Sequence, residues 1–345
     1  MDTKVFDLNK EYEAGIETAA QEIAKGGLVV FPTETVYGLG ADAFSPEAVY
    51  NIFLAKGRPA DNPLIVHIHA AAQVAQVAKD VSPWAKKLMD AFWPGPFTVV
   101  LPARKEVPSV VRGGLETVGV RLPAHPAAQA LIEKSRTLIA APSANLSGKP
   151  SPTQAQDVVE DFLGRVGVIL DGGSCQVGLE STVIDATGEV PVVLRPGGVT
   201  PEMIEAVTGR VEVAKAVLEG VEEGQKAASP GMKYKHYAPK AKVFIVAGDS
   251  RNTIAIKAIS MYDKNVSLGK NPVVFCEAKS ASLYGDRNVW VLGENPQEIA
   301  ANLFHALWQA DREKIDTIYF EALEAVGWGL AVMNRVIRAA GFHII

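Results

Sequence analysis

The sequence predicts an α/β protein of two domains: a twisted mixed-sheet domain, then a smaller Rossmann-like domain with a parallel sheet. Short apolar runs of strand length alternate with helical periodicity along most of the chain. At 345 residues the chain exceeds the length at which a single core usually stops growing. The alternation breaks once, between residues 211 and 240, and then starts afresh.

Ile16, Ala19, Ala20 and Ile23 recur at helical spacing and end at Gly26-Gly27, and the run Leu28 to Phe31, stopped by Pro32, reads as a buried strand. Similar runs are Leu64 to Ile68, Thr98 to Leu101, Val118 to Leu122, Val166 to Leu170, Thr182 to Asp185 and Val192 to Leu194. Helical stretches near 46–55, 71–90, 126–135 and 153–162 lie among them, which makes 1–210 one mixed α/β domain. Residues 211–240 read as an interdomain linker. Its end, Met232 to Pro239, sets Tyr234, His236 and Tyr237 among lysines, which a plain spacer does not need. Residues 241–345 resume with strands at Val243–Val246, Val273–Phe275, Val289–Leu292 and Thr317–Phe320 and helices near 251–261, 296–311 and 328–340, the pattern of a small Rossmann-like parallel sheet.

A net charge of -5 and a pI near 5.8 exclude a generally basic nucleic-acid coat but leave room for a local cationic cleft. Cys175 and Cys276 stand far apart with no metal-ligand spacing around them, so neither a disulfide framework nor a zinc site is indicated. The charged N-terminus and the lack of a long apolar run give the expectation of a soluble cytoplasmic protein with no membrane segment. The phosphate-loop, Gly-x-Ser-x-Gly and His-Glu-x-x-His motifs are missing, and Gly327-Trp-Gly329 lacks the third glycine of a dinucleotide fingerprint.

Chemistry gathers instead at the strand ends, where ligands dock in α/β sheets. Phe31-Pro-Thr-Glu-Thr-Val-Tyr-Gly-Leu-Gly40 joins hydroxyls and a carboxylate to two glycines, which a turn requiring positive φ would also explain. Lys56-Gly-Arg58-Pro-Ala-Asp-Asn62-Pro63 places two cations on a stiff loop, where they face an anion together or stand as solvated surface charge. Arg121, inside an apolar strand, needs an anionic partner, either a ligand carboxylate or a protein Asp or Glu. Ser143-Ala-Asn145 and Ser151 follow another strand, Gly178-Leu-Glu-Ser181-Thr182 precedes one, and Arg195-Pro-Gly-Gly ends one.

Together FPTETVYGLG, Lys56-x-Arg58, Ser143-x-Asn145, GLESTVID and LRPG resemble the YrdC family, and SPGMKYKHYAP with GWGLAVMNRVIRAA resembles its long two-domain members, the threonylcarbamoyl-AMP synthases. The resemblance covers nearly the whole chain and implies a cationic concave face that binds ATP and L-threonine. By similarity, threonine meets Thr35, His67, Arg121, Ala141 and Ser181, with Arg121 on its carboxylate. ATP meets Lys56, Arg58, Asn62, Thr117, Ser143, Asn145, Ser151 and Arg195, joined by His236 or Tyr237 from a linker that folds over the nucleotide.

The implied reaction joins L-threonine, bicarbonate or CO2, and ATP into threonylcarbamoyl-AMP and pyrophosphate, for the threonylcarbamoyl-adenosine modification of tRNA. No enzyme nucleophile is needed; Lys56 and Arg58 are the catalytic pair, and Mg2+ arrives with ATP. A downstream threonylcarbamoyl-transferase complex would receive the product, leaving tRNA contact indirect. Two other readings are a double-stranded RNA-binding module, against which the scarcity of aromatics counts, and a carbamoyl-phosphate-using carbamoyltransferase, whose acylphosphatase and zinc-finger modules are missing from this chain.

Overall fold

Apolar runs and helical stretches take up the expected alternation in the computed structural model, which describes residues 2–219 and 237–345. The chain forms two units, Met1–Ser147 with Ser151–Lys233, and Gly148–Pro150 with Tyr234–Ile345.

The first unit is built on strands β1 (Lys4–Asp7), β2 (Val29–Phe31), β3 (Gly38–Asp42), β4 (Ile65–His67), β5 (Phe97–Pro102), β6 (Thr117–Arg121), β7 (Ile139–Ala141), β8 (Val168–Asp171), β9 (Thr182–Asp185), β10 (Val192–Arg195) and β11 (Glu212–Val213). They form one mixed sheet in the order β1-β8-β2-β3-β7-β4-β6-β5-β9-β10-β11. The outer pairs β1/β8, β8/β2 and β10/β11 are parallel, as are β4/β6 and β5/β9, and the remaining pairs are antiparallel. Helix α1 (Tyr12–Ala24) buries Ile16, Ala19, Ala20 and Ile23, the spacing read from the sequence, in a core layer with Val29, Phe31 and Leu170. The larger core, on which α2 (Pro46–Lys56) packs through Ile52 and Phe53, includes Val30, Leu39, Val66, Val99 and Val120.

The sheet is strongly curled. Phe31 of β2 and His67 of β4 lie on strands separated by β3 and β7, about 14 Å apart in a flat sheet. Their rings nevertheless meet edge to face at 6.0 Å, which requires the strands to wrap toward a shared concave side.

Gly38 and Gly40 differ from the expectation of a turn. They lie in β3, and neither has positive φ. What demands glycine is space: a Cβ on Gly40 would sit 2.8 Å from the Phe31 ring and 2.7 Å from Ile139, and one on Gly38 would sit 3.0 Å from the same ring. Strand β1 went unread because Lys4 and Asp7 break its apolar pattern. The helix expected over 71–90 is divided, since Ser82 caps a new helix with Pro83 in its first turn, and that helix runs Pro83–Phe92. The linker expected from residue 211 begins later in the structure, because Glu212–Val213 pairs with β10; of its remainder, residues 220–236 lie outside the described residues.

The second unit carries β12 (Lys242–Val246), β13 (Pro272–Glu277), β14 (Val289–Gly293) and β15 (Thr317–Glu321), all parallel, in the order β12-β15-β13-β14. Its helices are Arg251–Ser267, Pro296–Arg312 and Gly327–Ala339. The first runs beyond the expected 261 because Tyr262 still packs on the core. Cys175 and Cys276 are both free and buried, and burial raises both thiols, Cys276 to about 12.

Gly40→Ala should force Phe31 or Ile139 to shift and cost roughly 1–3 kcal/mol, read as a lowered urea midpoint with an unchanged m-value.

Candidate active site

Strand ends and the loops after them deliver the polar side chains of the first unit. Helix α2 ends where Gly57 adopts a left-handed conformation at φ 65. That stop leaves Lys56 in the last turn, 2 % exposed, with its ammonium turned to the loop after β7. Lys56 Nζ donates to the carbonyls of Ser143 at 2.5 Å and Asn145 at 2.6 Å. Ser143 Oγ in turn donates to Asn145 Oδ1 at 2.5 Å, and the Asn145 amide donates to the Leu146 carbonyl at 2.9 Å. Burial and the neighbouring Arg58 charge push the Lys56 amine well below its usual value, against the pull of Asp161 and Glu180. In this structure Lys56 Nζ is thus tied to the Ser143–Asn145 turn. Arg58 lies one residue past the helix stop, with its guanidinium over the Phe53 ring at 5.2 Å.

A second cluster surrounds Arg121, the last residue of β6 and 4 % exposed. Of the two partners open to it on sequence, the structure shows the protein carboxylate: Nη2 pairs with Glu34 Oε1 at 2.7 Å, Nη1 donates to Thr35 Oγ1 at 2.9 Å and Nε to the Gly95 carbonyl at 3.3 Å. Burial would raise the Glu34 carboxyl, but the charge and hydrogen bond of Arg121 outweigh it and hold it below its usual value. Thr33 Oγ1 and Thr35 Oγ1 share a hydrogen bond of 2.8 Å, and Thr33 donates to the Val36 carbonyl at 2.6 Å, folding the motif into a tight hydroxyl-lined loop. His67 stands beside Arg121 in register, its Nδ1 3.1 Å from the Ile65 carbonyl. Burial and the Arg121 charge lower its pKa to about 3, so the ring is neutral near pH 7.

Arg195, at the end of β10, donates from Nε and Nη2 to the Ser181 carbonyl at 3.1 and 3.0 Å and from Nη2 to Ser181 Oγ at 3.2 Å. Ser181 Oγ also bonds Thr98 Oγ1 at 2.8 Å. Gly197 makes this approach possible, because a Cβ there would lie 2.4 Å from the Thr182 amide. Ser151 Oγ donates to Glu180 Oε1 at 2.5 Å.

The structure thus joins Thr35, His67 and Arg121 in one cluster, Lys56, Ser143 and Asn145 in another, and Ser181 with Arg195 in a third. Ala141 ends β7 opposite Ile65. Asn62 is buried, and Thr117 starts β6 opposite Pro102. Tyr237 belongs to the second unit, where it packs on Phe304 at 5.2 Å; His236 lies outside the described residues. Sequence reasoning missed Glu34, Thr98 and Glu180 as partners. Glu34 had a signal, a carboxylate between two threonines; Thr98, inside an apolar strand, had none.

A family model described as Telomere recombination (Sua5, YciO and YrdC proteins) matches residues 21–197, and one described as Threonylcarbamoyl-AMP synthase, C-terminal domain, matches 199–341. The chain is 50 % identical to the threonylcarbamoyl-AMP synthase of Pyrococcus abyssi over 96 % of its own length and 95 % of that protein's. It is 45 % identical to the synthase of Bacillus subtilis, covering 96 % and 94 %. The solved structure of P. abyssi Sua5 complexed with L-threonine superposes with a TM-score of 0.91 at 48 % identity, covering 100 % of this chain and 98 % of that one.

His67 is neutral in the folded state, whereas an unfolded histidine takes up a proton near pH 6.5. The stability it contributes is present above that value and is lost as pH falls from about 6.5 toward about 3. Urea melts across this range should show less acid loss in His67→Gln than in the parent, with a remainder from His125, whose pKa burial also lowers. Glu34→Gln should cost about 3–5 kcal/mol by leaving Arg121 buried without its counter-charge, seen as a lower urea midpoint at pH 7.

Proposed function

This chain belongs to the threonylcarbamoyl-AMP synthase family, and from that premise we propose how its own residues divide the work of making the adenylate from L-threonine, bicarbonate or CO2, and ATP. The observation that carries the assignment is the Arg121–Glu34 pair, 2.7 Å apart and buried at a strand end. A zwitterionic amino acid needs a cation for its carboxylate and an anion for its ammonium, and this pair presents both side by side. Thr35, His67, Ala141 and Ser181 complete the threonine side, with Thr35 and the neutral His67 ring offering hydrogen bonds without adding charge. That a relative was solved with L-threonine supports threonine as the amino acid bound.

In the reaction the ammonium first loses a proton to solvent; the free amine nitrogen then bonds to the carbon of CO2 and gives up a second proton, or, with bicarbonate, water leaves in place of that second proton. An oxygen of the resulting N-carboxylate bonds to the α-phosphorus of ATP, the bond from that phosphorus to the bridging oxygen breaks, and pyrophosphate departs. No protein nucleophile takes part, so the rate rests on alignment and on charge placed where charge develops. Arg58 and Arg195 supply positive charge on the ATP side, with Asn62, Thr117 and Ser151 as polar lining. Lys56 acts through the backbone, shaping the Ser143–Asn145 turn on which the nucleotide rests. No group of three or more His, Cys, Asp or Glu that could hold a metal occurs among the described residues. A Mg2+ carried in on the triphosphate would offset phosphate charge. The product, a hydrolysable anhydride, would pass to a threonylcarbamoyl-transferase complex, so that this chain need not hold tRNA.

Pyrophosphate release should depend on L-threonine and respond weakly to L-serine; release that ignores the amino acid would overturn the assignment. Arg58→Ala and Lys56→Ala should each lower release at least about a hundredfold with the far-ultraviolet circular dichroism unchanged.

A further inference from the structure

The reaction leaves the second unit without a task, yet that unit contains a cleft of about 550 Å³ lined by Gly248–Arg251, Glu277, Lys279, Ser280 and Glu321–Glu324. Its place follows from the strand order. The chain leaves β12 for the helix Arg251–Ser267, which packs with the core of Val246, Val274 and Tyr319. It leaves β15 for the helix Gly327–Ala339, which packs against Pro296–Arg312. Right-handed crossovers in the order β12-β15-β13-β14 put these helices on opposite faces of the sheet. The neighbours β12 and β15 are therefore a topological switch point, and the cleft lies at their carboxyl ends, where doubly wound sheets bind ligands.

The groups there are of several kinds. Ser250 caps its helix by accepting from Thr253 N at 3.1 Å, and the first-turn amides of Arg251 and Asn252 have no partner within the helix. The helix beginning at Gly327 starts beside Val326 on the cleft wall, so two positive helix ends border one space. Arg251 and Lys279 add charge, Lys279 resting on Glu277 Oε2 at 2.7 Å and Arg251 at 3.9 Å. Glu321 is held by the Tyr284 hydroxyl at 2.6 Å and the Glu277 amide at 3.1 Å. Ser280 is 1 % exposed; burial raises the Glu321 carboxyl and the nearby Ser280 hydroxyl offsets only a part of that, while its Oγ makes no well-formed hydrogen bond with any described residue. A buried hydroxyl at a cleft wall with no such bond is a cost that a ligand can remove.

We propose that this cleft is a second ligand site and that its ligand is a mononucleotide. Phosphate meets the two helix ends and the side chains of Arg251 and Lys279. Ribose hydroxyls donate to Glu277, the carboxylate ending the unit's second strand, and meet Ser280. The base rests against Ile254, Pro296 and Val326, the last a large apolar side chain left 61 % exposed. Carboxylates outnumber cations around the opening, so a bare anion is disfavoured and a ligand that also brings hydroxyl donors is required. The volume lies within the range of small-molecule sites and exceeds what an amino acid fills.

The test is hydrogen-exchange mass spectrometry on the full chain, read peptide by peptide so that the nucleotide site of the first unit is scored separately. AMP should protect amides in 247–255 and 321–330, and inorganic phosphate at equal concentration should not. Ser280→Ala, which removes only a hydroxyl, and Lys279→Glu should each weaken that protection about tenfold in AMP concentration, with pyrophosphate release unchanged. No protection of these peptides by AMP, equal protection by phosphate, or protection indifferent to both variants would each overturn the proposal.

Discussion

A guanidinium buried at the end of a central strand is the constraint around which the first unit is arranged. Left alone it would cost several kcal/mol, and the fold meets that cost by turning Phe31–Gly38 back so that Glu34 and Thr35 reach it. The loop can lie there because Thr33 ties it to itself and because Gly38 and Gly40 leave room beneath it for the Phe31 ring. Tyr37 fixes the far side: its hydroxyl donates to the Gly173 carbonyl at 2.6 Å and accepts from the Gly172 amide at 3.1 Å. On the proposed placement of threonine, recognition of an amino acid and stability of the motif would rest on the same pair of charges.

The cations divide by how far they are committed. Arg121 donates to Glu34, Thr35 and Gly95, Arg195 spans Ser181, and Lys56 is enclosed by carbonyls. A site whose charges are already fixed by protein oxygens spends little reorganisation when substrates arrive, which is the condition under which fixed dipoles and charges act most strongly on a developing pyrophosphate.

Much of the fold was legible because its signals were local. The helix over 126–135 appears as Pro126–Ser135, with Pro126 in its first turn, and the parallel second unit followed from apolar runs alternating with helical stretches. The glycine–hydroxyl motif was legible as chemistry but not as geometry. Its glycines were read for backbone freedom, whereas their reason is a ring from a neighbouring strand, and nothing in a sequence announces which side chain will lie under a glycine. Arg121 was legible as needing an anion, but which anion depended on a fold-back of 87 positions. Lys56 shows the same limit: its place at a helix end could be read from Gly57, while the carbonyls that accept its hydrogen bonds come from a loop 87 and 89 residues away.

The burial of both cysteines reaches beyond folding. A thiolate is the form that attacks maleimides and disulfides, and Cys175 and Cys276 are enclosed with their thiols raised. The chain contains no others. A cysteine introduced at any solvent-facing position would therefore be the one fast-reacting thiol, so fluorophores or spin labels can be attached singly without first stripping the native sulfurs from the core.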